Sequence, residues 1–248
     1  MYKSGLLYCW ILYSLVSCTK AQHMQQWRRD SNTDTTAAAV PVAVDASSQV
    51  SFLALGDSYT IGQSVDVADR FPIQTAKLLN QEKIECTAPD IIAQSGWTTG
   101  NLLGFLAETN PPQPLYDIVT LLIGVNNQYQ HRAKDEYTRE FLLLLNRAIQ
   151  YAGNRKNRVI VLSIPDYGVT PFASGSDTAL IAKEIDEFNA VNRNIALQEG
   201  VQYLDVTGFT RLAANNPSLV ASDGLHPSGN EYAVWAQALV PIIKAALR

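Results

Sequence analysis

Residues 53–62 read LALGDSYTIG. The apolar run Leu53-Ala54-Leu55 stops at Gly56-Asp57-Ser58, so a buried strand is predicted to end in a turn that carries a hydroxyl. Gly-Asp-Ser is also ordinary turn chemistry, because glycine accepts unusual backbone angles and Asp and Ser bond their own main chain. These letters therefore fix a strand and its end, and leave the purpose of Ser58 to the other strand ends.

Similar runs recur along the chain. Val50–Leu55, Pro89–Ala93, Asp117–Ile123, Arg158–Ile164 and Val201–Val206 are short and apolar, suited to strands. Between them, helical spacing of apolar residues predicts helices over Arg70–Gln81, Thr98–Ala107, Lys134–Ala152 and Thr178–Glu199. The last two are stopped by Gly153 and Gly200. A final helix starts after Ser228, which with Glu231 has the spacing of a capping box. Strands that are hydrophobic almost throughout, alternating with helices, imply a parallel sheet covered on both faces. The fold class expected is α/β, a three-layer α/β/α sandwich around a five-stranded parallel sheet.

In such sheets ligands sit outside the carboxyl ends of the strands. Those ends carry Gly56-Asp57-Ser58, then Gln94-Ser95-Gly96-Trp97-Thr98-Thr99-Gly100, Gly124-Val125-Asn126-Asn127, and Pro165-Asp166-Tyr167-Gly168. Beyond the fifth strand comes Ser222-Asp223-Gly224-Leu225-His226-Pro227. A serine nucleophile needs a proton acceptor, and histidine is the natural one near neutral pH. Of the three histidines, His23 precedes the domain and His131 lies in a polar stretch past the third strand, whereas His226 follows Asp223 by three residues. Asp-x-x-His across a turn can bring a carboxylate to the imidazole Nδ1–H. Asp57 is expected to order the serine turn through local backbone bonds.

The segments GDSYTIG, QSGWTTG, GVNN and DGLHP, in this order and at these separations, resemble the blocks of the SGNH (GDSL-type) hydrolase family from about residue 50 to the C-terminus. The resemblance implies a flavodoxin-like arrangement of the sheet and serine ester hydrolysis with no metal or organic cofactor. It implies Ser58 as nucleophile, His226 as general base and Asp223 as the acid that orients it. The oxyanion hole would be formed by the backbone N–H groups of Ser58 and Gly96 and the side-chain amide of Asn126. Two letters depart from the usual blocks. Tyr59 follows the serine where the family name implies Leu, with no expected effect on the chemistry. Asn127 replaces a frequent Asp after the Asn and is expected to alter only supporting hydrogen bonds. Trp97, Tyr129, Tyr167 and Phe172 lie close in sequence to these blocks. Trp97, Tyr167 and Phe172 are taken as substrate contacts, and the stretch 165–172, with two prolines, is read as a rigid wall on the substrate side.

The chain of 248 residues with a net charge of −4 fits one domain preceded by an extension, and argues against a nucleic-acid surface. Met1-Tyr2-Lys3 opens a short positive start, followed by about a dozen apolar residues, the length of a signal-peptide core and short for a membrane span. It closes on Leu15-Val16-Ser17-Cys18, which resembles the box of a bacterial lipoprotein signal. That resemblance implies a signal over 1–17 and a lipidated Cys18, with a plain secretory signal or uncleaved anchor as alternatives. Residues 18–48 have no sustained period and read as a flexible tether, with the hydrolase domain over 49–248. Cys86 would then be the one cysteine of the domain, a small buried hydrophobe. The expected setting is a monomeric lipoprotein in a bacterial envelope, facing periplasm or exterior. Its partners would be a membrane and a small ester, lipid or acylated carbohydrate. A non-catalytic glycan-binding module on the same fold is the rival from another class. A flavodoxin-like phosphate binder is disfavoured, because no strand runs into a glycine-rich phosphate loop.

Overall fold

In the computed structural model, the residues described are 49–248. The signal at 1–17, the tether at 18–48 and Cys18 lie outside the described residues. Five strands form one sheet: β1 (Phe52–Gly56), β2 (Asp90–Ala93), β3 (Ile118–Leu122), β4 (Val159–Leu162) and β5 (Gln202–Leu204). Their order is β2-β1-β3-β4-β5, and every pairing is parallel. The three central strands are buried along their whole length, while β2 and β5 at the edges keep partial exposure. That gradient is what the apolar runs predict for a sheet covered on both faces.

The helices are α1 (Ser58–Ile61), α2 (Phe71–Gln81), α3 (Thr99–Glu108), α4 (Val125–Tyr129), α5 (Lys134–Tyr151), α6 (Thr178–Glu199), α7 (Thr207–Thr210) and α8 (Gly229–Leu247). From β1 the chain runs outward to β2, then returns past β1 to β3. With right-handed crossovers, this reversal sends the connecting helices to opposite faces. Accordingly α2 packs on α8, while α3 packs on α5 and α5 on α6. On the first face Phe71, Tyr232 and Trp235 meet at ring-centroid distances of 5.1–6.1 Å. On the other, Tyr137 lies 5.5 Å from Phe141 and 4.8 Å from Phe188. Burying each such ring contributes on the order of 2 kcal/mol, enough to fasten each layer to the sheet. Cys86 is buried, as expected, and unpaired among the described residues.

The strands are one to three residues shorter than their apolar runs, and for β4 the reason is visible. Ile164 continues the run, but Asn189 Oδ1 accepts its N–H at 2.8 Å and Asn189 Nδ2 donates to its carbonyl at 3.0 Å. The α6 side chain thus takes the backbone groups that a longer strand would pair. The short helices α1, α4 and α7 were not signalled by periodicity, since four or five residues are too few to show one. At α8 only half of the expected capping box forms. Ser228 Oγ accepts the N–H of Glu231, while the Glu231 side chain is buried and makes no bond back to the Ser228 N–H.

Candidate active site

Gly56 ends β1 with its neighbours pressed close: a Cβ there would stand 2.1 Å from Thr60 Oγ1 and 2.4 Å from the Leu122 carbonyl. Only glycine fits, and the chain turns at once into α1. Asp57 caps that helix, its Oδ1 accepting the N–H of Tyr59 at 3.0 Å, the local bond foreseen for it. Ser58 is the first residue of the helix and is buried to 6% exposure. Burial pushes the Asp57 carboxyl up to about 7, against the opposing pull of backbone donors, and its Oδ2 has no hydrogen-bond partner among the described residues.

Beyond β2, Gly96 stands at φ +81 with open space around its Cα. Its glycine is explained by backbone conformation rather than by a crowded approach. Beyond β3, α4 presents Asn126, whose Nδ2 donates to the Trp97 carbonyl at 3.0 Å. An amide carries two N–H donors, so one ties the third block to the second and the other remains for a ligand. Asn127 makes the supporting bonds expected of it. Fully buried, it accepts the Thr99 N–H at 3.0 Å and donates to Thr99 Oγ1 at 2.7 Å.

The turn before α8 is closed by an antiparallel bridge between Val220 and Pro227. Within it, Asp223 Oδ1 accepts the backbone N–H groups of Leu225 (2.9 Å) and His226 (3.0 Å). Its Oδ2 meets His226 Nδ1 at 2.6 Å and accepts from Ser64 Oγ at 2.7 Å. Partial burial pushes the Asp223 carboxyl up, but the bonds from Ser64, the His226 ring and the two backbone donors outweigh it and hold the group well below the usual carboxylate range. An ionised carboxylate only accepts. His226 Nδ1 is therefore the nitrogen that donates, and in the neutral tautomer this leaves the lone pair on Nε2. His226 is buried, and the Tyr59 ring lies against it at 5.0 Å. The residue expected to be indifferent to the chemistry is thus a packing partner of the imidazole.

Ser58, Asn126 and His226 line one cleft of about 90 Å³, together with Tyr59, Val125, Tyr129, Tyr167, Phe172 and Leu225. Tyr129, Tyr167 and Phe172 pack on one another with centroids 5.9–6.2 Å apart. Tyr167 is buried, while Tyr129 and Phe172 are about half exposed at the rim. Phe172 is also tied to the Asp223–His226 turn, its N–H donating to the Gly224 carbonyl at 2.9 Å. Within the stretch 165–172, Asp166 is bonded both to the stretch itself and to Arg211. That buried carboxylate accepts from Gly168 N at 2.9 Å and from Arg211 Nε at 2.9 Å.

Trp97 departs from expectation. Its ring stacks on Phe105 at 5.2 Å and is not part of the cleft lining; its contribution to the site is the carbonyl that holds Asn126. Sequence reading passed over Leu225, on the cleft, and Ser64, on Asp223. Leu225 lies inside the DGLHP block and was signalled by that position. Ser64 was signalled by nothing but its place six residues after Ser58.

Residues 54–234 match the model of the GDSL-like Lipase/Acylhydrolase family. No curated protein sequence is similar enough to count as a relative. Among solved structures, TesA aligns with a TM-score of 0.59 at 20% identity, over 79% of this chain and 99% of its own. The lipase/acylhydrolase from Enterococcus faecalis aligns with a TM-score of 0.59 at 19% identity, over 79% and 96%. Axe2, an acetylxylan esterase from Geobacillus stearothermophilus, aligns with a TM-score of 0.58 at 20% identity, over 79% and 94%. At these identities the likeness is one of fold, and the five-stranded α/β architecture is shared.

Proposed function

Because the chain belongs to the GDSL-like lipase/acylhydrolase family, we propose that it is a serine esterase working through an acyl-enzyme. Ser58 is the nucleophile, His226 the base and Asp223 the acid that orients it. The observation that carries this reading is the Asp223–His226 pair, ionised carboxylate on Nδ1, with the imidazole lining the same cleft as Ser58 and Asn126.

The steps follow from that geometry. His226 Nε2 takes the Ser58 proton as Oγ attacks the ester carbonyl, and Asp223 stabilises the imidazolium that results. The tetrahedral oxyanion is held by the N–H groups of Ser58 and Gly96 and by Asn126 Nδ2. His226 then protonates the departing alcohol, leaving Ser58 acylated. Water, deprotonated by the same imidazole, releases the acid and restores the serine.

Cleft size and lining support one class of ester over others. About 90 Å³ is far below the roughly 300–1,000 Å³ of a pocket that encloses a drug-sized ligand, which favours a short acyl group over a long fatty chain. The exposed rings of Tyr129 and Phe172 favour, as a second reading, an acetylated sugar stacked at the rim, because aromatic faces present broad apolar area. Lipidation of Cys18 would hold the enzyme at the envelope of a bacterial cell, as a monomer on its tether. Short-chain p-nitrophenyl esters, acetylated glycans and longer acyl esters, assayed side by side, test the substrate. Fluorophosphonate labelling tests the chemistry. Ser58→Ala should abolish both labelling and turnover; full activity without Ser58 would refute the assignment, and a wild-type protein with neither would be a binding module.

A further inference from the structure

Within the Asp223–His226 pair, the carboxylate is the open partner: its side chain keeps 26% of its accessible area against 4% for the imidazole. A carboxylate so placed is solvated from its open side by mobile water, which competes with the imidazole for Oδ2. On that side the chain supplies a fixed donor instead. Ser64 Oγ donates to Asp223 Oδ2 at 2.7 Å across 159 residues of sequence, on the same oxygen that holds His226 Nδ1. To do so Ser64 stands at φ +67, a left-handed conformation that a side-chain-bearing residue adopts only at an energetic cost. Nothing in a turn requires serine there, since glycine would meet the backbone angle without strain.

The segment that carries Ser64 is the continuation of the nucleophile helix. Gly62 closes α1 in the left-handed region, and the Gln63 N–H returns to the Ser58 carbonyl at 3.0 Å. Gln63 also accepts from Ser95 Oγ, beside Gly96. Residues 58–64 thus hold the nucleophile, a bond to the oxyanion turn and a bond to the orienting acid on one short piece of chain.

We propose that Ser64 is a positioning residue for this esterase, fixing the Asp223 carboxylate and, through it, the orientation of His226. The inference rests on the roles proposed above for Ser58, Asp223 and His226. Its strained backbone is then the cost of placing a hydroxyl where water would otherwise sit.

Two variants of the full-length protein separate this from a merely structural role. Ser64→Ala removes the hydroxyl and keeps the strain, whereas Ser64→Gly removes the hydroxyl and relieves it. Both should lose about tenfold in kcat on p-nitrophenyl acetate, the effect of one lost charge-assisted hydrogen bond, with KM little changed. Ser64→Gly should melt no lower than the wild type. In both, the acid limb of the kcat/KM profile should move to higher pH, because a carboxylate with one donor fewer holds the imidazole proton more tightly. Wild-type kcat and pH profile in either variant, or a loss in Ser64→Ala alone that follows its melting temperature, would overturn the proposal. Failure of a fluorophosphonate to label Ser58 in the wild type overturns the parent reading and this one with it. Labelling that is normal in the wild type and equally fast in both variants overturns the role of Ser64 alone.

Discussion

Asp57 gives the sharpest link between this site and measurable stability. The residue is buried, caps α1 through one oxygen and leaves the other without a partner among the described residues. Burial pushes its carboxyl up from 3.8 to about 7, so the native protein keeps a proton that the unfolded chain has already released. The sign follows: the native state binds more protons between these values, so stability is fully present below pH 3.8 and falls as pH rises to about 7. A gap of about three pH units corresponds to about 4 kcal/mol over the full window, of which about 2 kcal/mol falls between pH 5.5 and 8.5. Asp57→Asn keeps an oxygen for the Tyr59 N–H and cannot ionise. Its stability relative to the wild type should therefore rise by about 2 kcal/mol from pH 5.5 to 8.5. Glu231, whose carboxyl burial also pushes up to about 7, adds a slope of the same sign to both proteins and cancels in the difference. Urea unfolding at several pH values, read by circular dichroism and extrapolated linearly, supplies the two curves. Parallel curves across the range would refute the reasoning, because they would mean that Asp57 is ionised in the native protein or that the Gly56–Ser58 turn is hydrated.

Other perturbations address the remaining parts of the cleft. Asn126→Ala should lower kcat on a short-chain ester by about 10²–10³ with KM little affected, and a loss under fivefold would remove Asn126 from the oxyanion site. Truncating the wall with Tyr167→Ala and Phe172→Ala should move the preferred acyl length upward in a p-nitrophenyl ester series; an unchanged preference would argue against a substrate-side wall. Arg211→Ala leaves the buried Asp166 carboxylate without its cation and should destabilise the fold by about 3 kcal/mol in denaturant unfolding, with under 1 kcal/mol refuting the importance of that pair.

Much of this molecule was readable in its sequence because the informative quantities are periodic or local. Runs such as Ile118–Leu122 declare buried parallel strands, and the apolar stripe through Phe141, Leu144, Leu145 and Ala148 declares the inner face of α5, all of it buried. The Asp-x-x-His spacing likewise foretells a bond across one turn. Bonds between distant segments leave no such trace. Asp166 is held by Arg211, 45 residues on, and Asp223 by Ser64, 159 residues back, and no period connects either pair. Side-chain direction is equally hidden. Trp97 sits beside Gly96 in the chain, yet its ring turns to Phe105, because α3 offers an apolar surface there.

The sheet register explains why four separate weak signals converge. Gly56 is paired with Ala93 on one side and with Leu122 on the other, so three strands end on a single row of the sheet. Two residues past that row on β1 comes Ser58, three past it on β2 comes Gly96, and four past it on β3 comes Asn126. The topology places β1 between β2 and β3, which puts the proposed nucleophile between its two proposed oxyanion donors without any long loop. A slip of one residue in either pairing would turn the strand's side chains to the opposite face and shift one donor by about 3.3 Å along the strand, beyond hydrogen-bonding reach of an oxyanion centred on Ser58. The fully buried run Leu53–Leu55 and the tight fit of Gly56 against the Leu122 carbonyl together oppose that slip. LALGDS therefore sets the geometry of the cleft as well as the place of its proposed nucleophile, and substitutions at Gly56 should abolish activity by displacing β3 rather than by touching substrate.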